Sequence, residues 1–108
     1  MDHRAVAAIA CALAAAPVHA EVDGEEFLSL MRQPSTHETA QKYIDNAADK
    51  WDGSGLFCTP ETDRENARFQ AVLTYLEAHP QELWRPRRYL IIQGLRSAFP
   101  CKASPGQS

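Results

Sequence analysis

Beyond the first twenty residues, those that could do chemistry are few: a pair of cysteines, a pair of histidines, a run of aspartates and one serine between glycines. Cys58 and Cys101 could hold zinc as thiolates beside a histidine, or could join as a disulfide. His37 and His79 each stand at the end of a helical pattern. An imidazole there most often caps the helix or faces its dipole. Asp45, Asp49 and Asp52, followed by Gly53, bring calcium to mind. Their spacing is wrong for it, because a calcium loop needs oxygen ligands at alternate positions and a later glutamate. Asp45 and Asp49 lie four apart near Lys42 and Lys50, the pattern of a solvated helix face. Ser54 has no histidine placed to activate it. Motifs for a nucleophile elbow, a phosphate loop or haem attachment are missing. No nucleophile, base and orienter come together, so the expectation is a protein with no catalytic residues, no metal and no cofactor.

Which cysteine chemistry applies depends on compartment. After Met1-Asp2-His3-Arg4, residues Ala5 to Ala16 form an apolar run too short to span a bilayer. Pro17-Val18-His19-Ala20 then offers small residues at the −1 and −3 positions of a cleavage site. This is the pattern of a secretory signal peptide over residues 1–20, cleaved after Ala20. A buried N-terminal helix fits less well, because the run has no polar face. A lipoprotein anchored through Cys11 also fits less well, because the apolar run before that cysteine is short and continues past it. The mature domain is expected over 21–108, with a polar tail at 101–108 expected to be disordered. Cys11 leaves with the signal, and an even pair of cysteines in an exported chain reads as the disulfide Cys58–Cys101.

The chain's formal charge is −3, and cleavage leaves it unchanged because Asp2 and Arg4 depart together. No basic field exists to attract nucleic acid or an anionic membrane surface. No later segment has transmembrane length.

Four helical patterns must position these residues. Asp23-Gly24-Glu25-Glu26, Ser35-Thr36-His37-Glu38 and Thr62-Asp63-Arg64-Glu65 each read as a capping box opening a helix. Pro34 ends the first helix. In the second, Ala40, Tyr43, Ile44, Ala47, Ala48 and Trp51 fall on one apolar stripe, which predicts that Trp51 is buried. Gly53-Ser54-Gly55 breaks it, and Leu56-Phe57-Cys58 reads as an apolar connector pressed onto the core. The third helix, about 63–78, carries Phe69, Val72, Leu73 and Leu76 and ends at His79-Pro80. The fourth, about 86–98, has Pro86 in its first turn and is apolar around most of its circumference, which predicts a central helix or one that also meets a partner. Gly94 and Ala98 permit a close helix approach there. No strand periodicity appears. The fold class is all-α, a small four-helix bundle-like domain with one disulfide.

Trp84 sits among Arg85, Arg87 and Arg88, and tryptophan and arginine are enriched where proteins bind one another. Trp84 either fastens the start of the fourth helix to the core or faces a partner.

Tyr43-Ile44, Phe57-Cys58-x-Pro60, Val72-Leu73-x-Tyr75-Leu76-x-x-x-Pro80 and Leu95-x-x-x-Phe99-Pro100-Cys101 together resemble the Rap/Tai immunity proteins. The resemblance covers about Glu26 to Cys101, and its cysteine frame is the specific part. It implies a periplasmic helical protein, often a homodimer, that binds and inhibits a peptidoglycan amidase delivered by type VI secretion. It also implies that an exposed loop and a neighbouring helix block the amidase cleft. The comparable loop here contains His79, Gln81, Glu82, Trp84 and Arg85, and the preceding helix supplies Arg64, Arg68 and Glu77, read as exposed. Asn46 departs from the family, which often places glycine after Tyr-Ile. Two rival readings remain: an envelope interaction protein with the same domain and no toxin partner, and an enzyme or metal protein, which two free thiols would favour.

Overall fold

A computed structural model describes residues 22–102. The expected signal peptide, and the tail beyond Lys102, lie outside the described residues. Helix α1 spans Gly24–Arg32, α2 spans His37–Asp49, α3 spans Arg64–Ala78 and α4 spans Arg87–Ala98. Short 3-10 turns at Pro34–Thr36 and Pro80–Glu82 precede α2 and follow α3. No strand occurs among the described residues; two isolated bridges, Asp23 with Pro86 and Asp52 with Phe57, pin loops in place.

Of the three capping boxes only the first makes its N-cap bond. The Asp23 carboxylate accepts from the Glu26 N–H at 3.0 Å and starts α1. At the second, Pro34 opens a 3-10 turn instead, and the Thr36 hydroxyl donates to the Leu30 carbonyl at 2.7 Å. At the third, Asp63 sits in the left-handed region with φ of 53° and makes no side-chain cap. Its carboxylate accepts from the Asn66 amide at 3.2 Å. Pro86 is the residue before α4 rather than its first residue.

The core gathers one face from each helix. Phe27, Ile44, Val72, Leu76, Leu90 and Leu95 are fully buried, and Phe57 joins them from the connector. Burying each such side chain contributes roughly 1.5–3 kcal/mol before conformational entropy is counted. Helix α4 is central: it packs most extensively on α3 and also touches α1 and α2. Gly94 makes the α3–α4 contact possible. A Cβ there would lie 3.1 Å from the Val72 Cα and 3.2 Å from the Tyr75 Cβ, so any side chain must push the helices apart.

Cys58 and Cys101 form a disulfide with Cα atoms 4.9 Å apart. The Cys58 N–H also donates to the Phe99 carbonyl at 2.8 Å. The connector after α2 is therefore joined to the end of α4 twice. Cys101 is consequently tied down and is not part of a loose tail.

Trp51 is a correction to the periodic pattern. It is 47% exposed, because α2 stops at Asp49 and the chain leaves helical register before reaching it. Within the helix, Ala40, Ile44 and Ala48 follow the expected stripe and are buried.

Candidate functional site

The segment from His79 to Arg85 is a rigid projection between α3 and α4. Three backbone bonds fold it upon itself: Glu82 N–H to His79 at 2.9 Å, Leu83 N–H to Pro80 at 3.4 Å and Arg85 N–H to Glu82 at 3.0 Å. The start of α1 holds it from outside. The Gly24 N–H donates to the Arg85 carbonyl at 3.0 Å, and the Glu25 N–H donates to the Leu83 carbonyl at 3.1 Å. Glycine is required at position 24, since a Cβ would stand 2.9 Å from the Leu83 carbonyl oxygen. Leu83 anchors the segment in the core at 8% exposure.

Side chains complete the frame. The His79 ring stacks on Tyr75 with centroids 3.9 Å apart, and its Nδ1 lies 2.8 Å from the Tyr75 carbonyl. A carbonyl only accepts, so Nδ1 carries the hydrogen and His79 latches the end of α3. The Tyr75 hydroxyl donates to Glu82 at 3.2 Å. Burial, then this bond to the neighbouring carboxylate, push the Tyr75 phenol above its ordinary pKa. Arg85 lies 3.8 Å from the same Glu82 carboxylate, and its guanidinium is 4.7 Å from the ring centres of both Trp84 and Tyr89. Trp84 itself is 68% exposed. Its side chain therefore faces solvent and does not pack into the core. Gln81 is exposed beside it.

Arg64 and Arg68 do not join this projection. They lie near the start of α3, and fifteen residues at about 1.5 Å each separate that end from His79. Arg64 is partly exposed and pairs with Glu61 at 3.7 Å. Arg68 is a clear correction: its side chain is 2% exposed and cannot meet a partner. It reaches Asp45 at 3.0 Å, Asp49 at 3.0 Å and Asp52 at 2.8 Å. The aspartates read as a solvated face are the anionic half of a structural ion cluster. Burial pushes the Asp52 carboxyl up, but hydrogen bonds from Arg68 and Thr59 together outweigh it and leave the pKa below its ordinary 3.8. The Asp52 carboxylate also accepts from the Thr59 N–H at 3.0 Å, so the cluster fixes the residue after Cys58. Glu77 is exposed and pairs with Arg32 at 3.1 Å.

Other candidates for chemistry have structural partners. His37 packs on Phe69 with centroids 4.2 Å apart, and the Ser54 hydroxyl donates to the Trp51 carbonyl. Among the described residues no group of three His, Cys, Asp or Glu is placed to hold a metal ion. No helix of the described residues is long and apolar enough to cross a membrane. What the segment presents to solvent is the Trp84 indole with the Arg85 guanidinium beside it.

Sequence reasoning missed the breadth of this surface. Tyr43 at 38% and Trp51 at 47% exposure lie on the stripe read as buried, and Tyr89 at 39% belongs to the excess apolar surface of α4. Their arginine neighbours were the available signal, since Arg87 lies 3.8 Å over the Tyr43 ring. Helix α4 is apolar beyond what its core face uses, which was the second signal.

The model of the Rap1a immunity proteins matches residues 23–101. No curated protein and no solved structure matches the chain. The matched stretch begins at the aspartate capping α1, takes in all four helices and the projection between α3 and α4, and ends on the second cysteine of the disulfide. The chain belongs to the Rap1a immunity protein family.

Proposed function

We propose that this protein is an exported, non-catalytic inhibitor that binds and blocks a peptidoglycan amidase delivered by type VI secretion. Family membership implies immunity against a secreted effector, and so a protein partner. The single observation that supports a blocking loop is the exposure of Trp84, 68%, on a backbone held by bonds from both α1 and the loop itself. A projecting side chain that is already ordered loses little entropy on binding. Trp84 and Arg85, with His79, Gln81 and Glu82 around them, form the proposed contact. Arg64 is a secondary contact for a partner large enough to reach along α3. Arg68 acts only through the fold.

The export signal over residues 1–20 and a periplasmic location belong to the same proposal. An intramolecular disulfide suits an oxidising compartment. A homodimer is also proposed. An open groove of about 490 Å³ runs between α3 and α4, walled by small residues such as Ala71, Ala78 and Ala98, and could receive a second copy. Light scattering at micromolar concentration should give twice the monomer mass; a monomer mass would remove the dimer and leave the inhibitor.

Co-purification with the hydrolase encoded beside its gene tests the main reading. A stable complex is expected, and Trp84→Ala should weaken it about thirtyfold, the loss of a central hot spot. Failure to bind any envelope hydrolase would overturn it.

A further inference from the structure

Among the described residues the exposed large hydrophobic side chains are Tyr43, Trp51, Trp84 and Tyr89. They come from α2, the turn after it, the projection and the first turn of α4, yet they are linked on one side of the molecule. Arg85 joins Trp84 to Tyr89 by lying 4.7 Å from each ring. Tyr89 and Trp51 line one cleft together, and Tyr43 is bound to the start of α4 through Arg87.

Two clefts open in this face, and Arg88 lines both. The larger, about 420 Å³, is walled by Trp51, Leu56, Tyr89 and Ile92. The smaller, about 130 Å³, contains Asn46, Lys50, Arg87 and Arg88. Among the described residues no carboxylate lines either cleft. In a chain of net charge −3 this is a local reversal of sign. Exposed aromatics interleaved with arginine have the composition of a binding hot spot. The apolar cleft gains by receiving an apolar side chain, and the cationic cleft by receiving a carboxylate.

We infer that the face formed by α2 and α4 docks an acidic protein segment. An aliphatic or aromatic side chain of that segment fills the cleft between Trp51 and Tyr89. An adjacent aspartate or glutamate sits beside Lys50 and Arg88. The inference rests on the effector-binding reading and deepens it, by giving the chemistry of the partner's surface. It also moves the centre of contact from the projection alone to a band running from Trp84 to Trp51. An anionic bilayer suits the face less well, because the net charge opposes adsorption.

The chain holds two tryptophans, both on this face, so their indole N–H signals report on it directly. Nuclear magnetic resonance titration with a short glutamate–leucine peptide should shift both signals. The lysine–leucine counterpart should shift neither. The Lys50→Glu/Arg88→Glu double variant should weaken the response about tenfold or more. Both positions are exposed, and glutamate near the start of α4 favours the helix dipole, so the variant should fold as the parent does. Equal response to the two peptides, no response to either, or a response to phosphatidylglycerol vesicles in place of the acidic peptide would overturn the inference. The amidase effector supplies the separating arm. If it binds and shifts Trp84 but leaves Trp51 and the double variant unaffected, the face falls and the inhibitor reading stands. If it does not bind while the acidic peptide does, the inhibitor reading falls and the face stands.

Discussion

Arg68 is the residue whose role local pattern misstates most. Its position beside Phe69 on α3 makes it look like an ordinary wet-face cation. Its three partners lie 16 to 23 residues earlier, so nothing within one helix turn announces them. Removing one side of a buried ion cluster leaves uncompensated charge, which is worth more than the pair's own attraction. Arg68→Met should therefore lower the unfolding free energy by about 3 kcal/mol in a urea titration. No measurable change would mean that the aspartates are solvated without it. The same cluster sets acid sensitivity. The folded Asp52 pKa lies below 3.8, so its contribution is complete above that value and is lost as pH falls through the folded pKa. Asp52→Asn should be less stable than the parent at neutral pH and should lose less on acidification below pH 3.8. Parallel stability curves for the two proteins would contradict this.

At the scale of elements, the sequence patterns transfer well where the chain punctuates itself. Pro34, His79-Pro80 and Pro86 place helix ends to within a residue or two of those observed. Proline removes a donor and forces its neighbour out of helical geometry, so these are signals with a local cause. The mark read at the end of α2, Gly53-Ser54-Gly55, comes after the helix has already stopped at Asp49, and a stripe extended to Trp51 makes an exposed residue look buried. Capping boxes were legible as composition, but only Asp23 fulfils the pattern, because Pro34 and the left-handed Asp63 impose other backbone paths. Two element-level contacts are open to direct test. Gly94→Val should separate α3 from α4 and cost about 2 kcal/mol, read as a lower melting temperature with helicity retained. Cys58→Ser opens a link between residues 43 apart in sequence, worth about 4 kcal/mol in the chain-entropy account. An unchanged melting temperature in non-reducing buffer would show the bond to be idle.

The whole molecule is a small bundle whose stability devices meet the proposed recognition surface only at the turn after α2, where Lys50 and Trp51 stand between Asp49 and Asp52. The disulfide and the Arg68 cluster brace one region, where the connector after α2 meets α3 and the end of α4. The exposed aromatics and their arginines surround the start of α4. The scaffold was readable because helix periodicity is carried by nearby residues, and because two cysteines, though 43 apart in sequence, allow only one pairing. The proposed recognition surface was readable only at Trp84, where the arginines adjoin it in sequence. Trp51, Tyr43 and Tyr89 become one surface only after three elements pack, and no single stretch encodes that. Trp84 lies away from both braces, which makes the central claim measurable without disturbing the fold. Titrating the protein into a peptidoglycan amidase assay, with the enzyme encoded beside its gene, should abolish turnover at equal molar ratio. Trp84→Ala should need about thirtyfold more protein while melting at the parent's temperature. An amidase left fully active by a molar excess of the intact protein, or a Trp84→Ala variant inhibiting as well as the parent, would contradict the account.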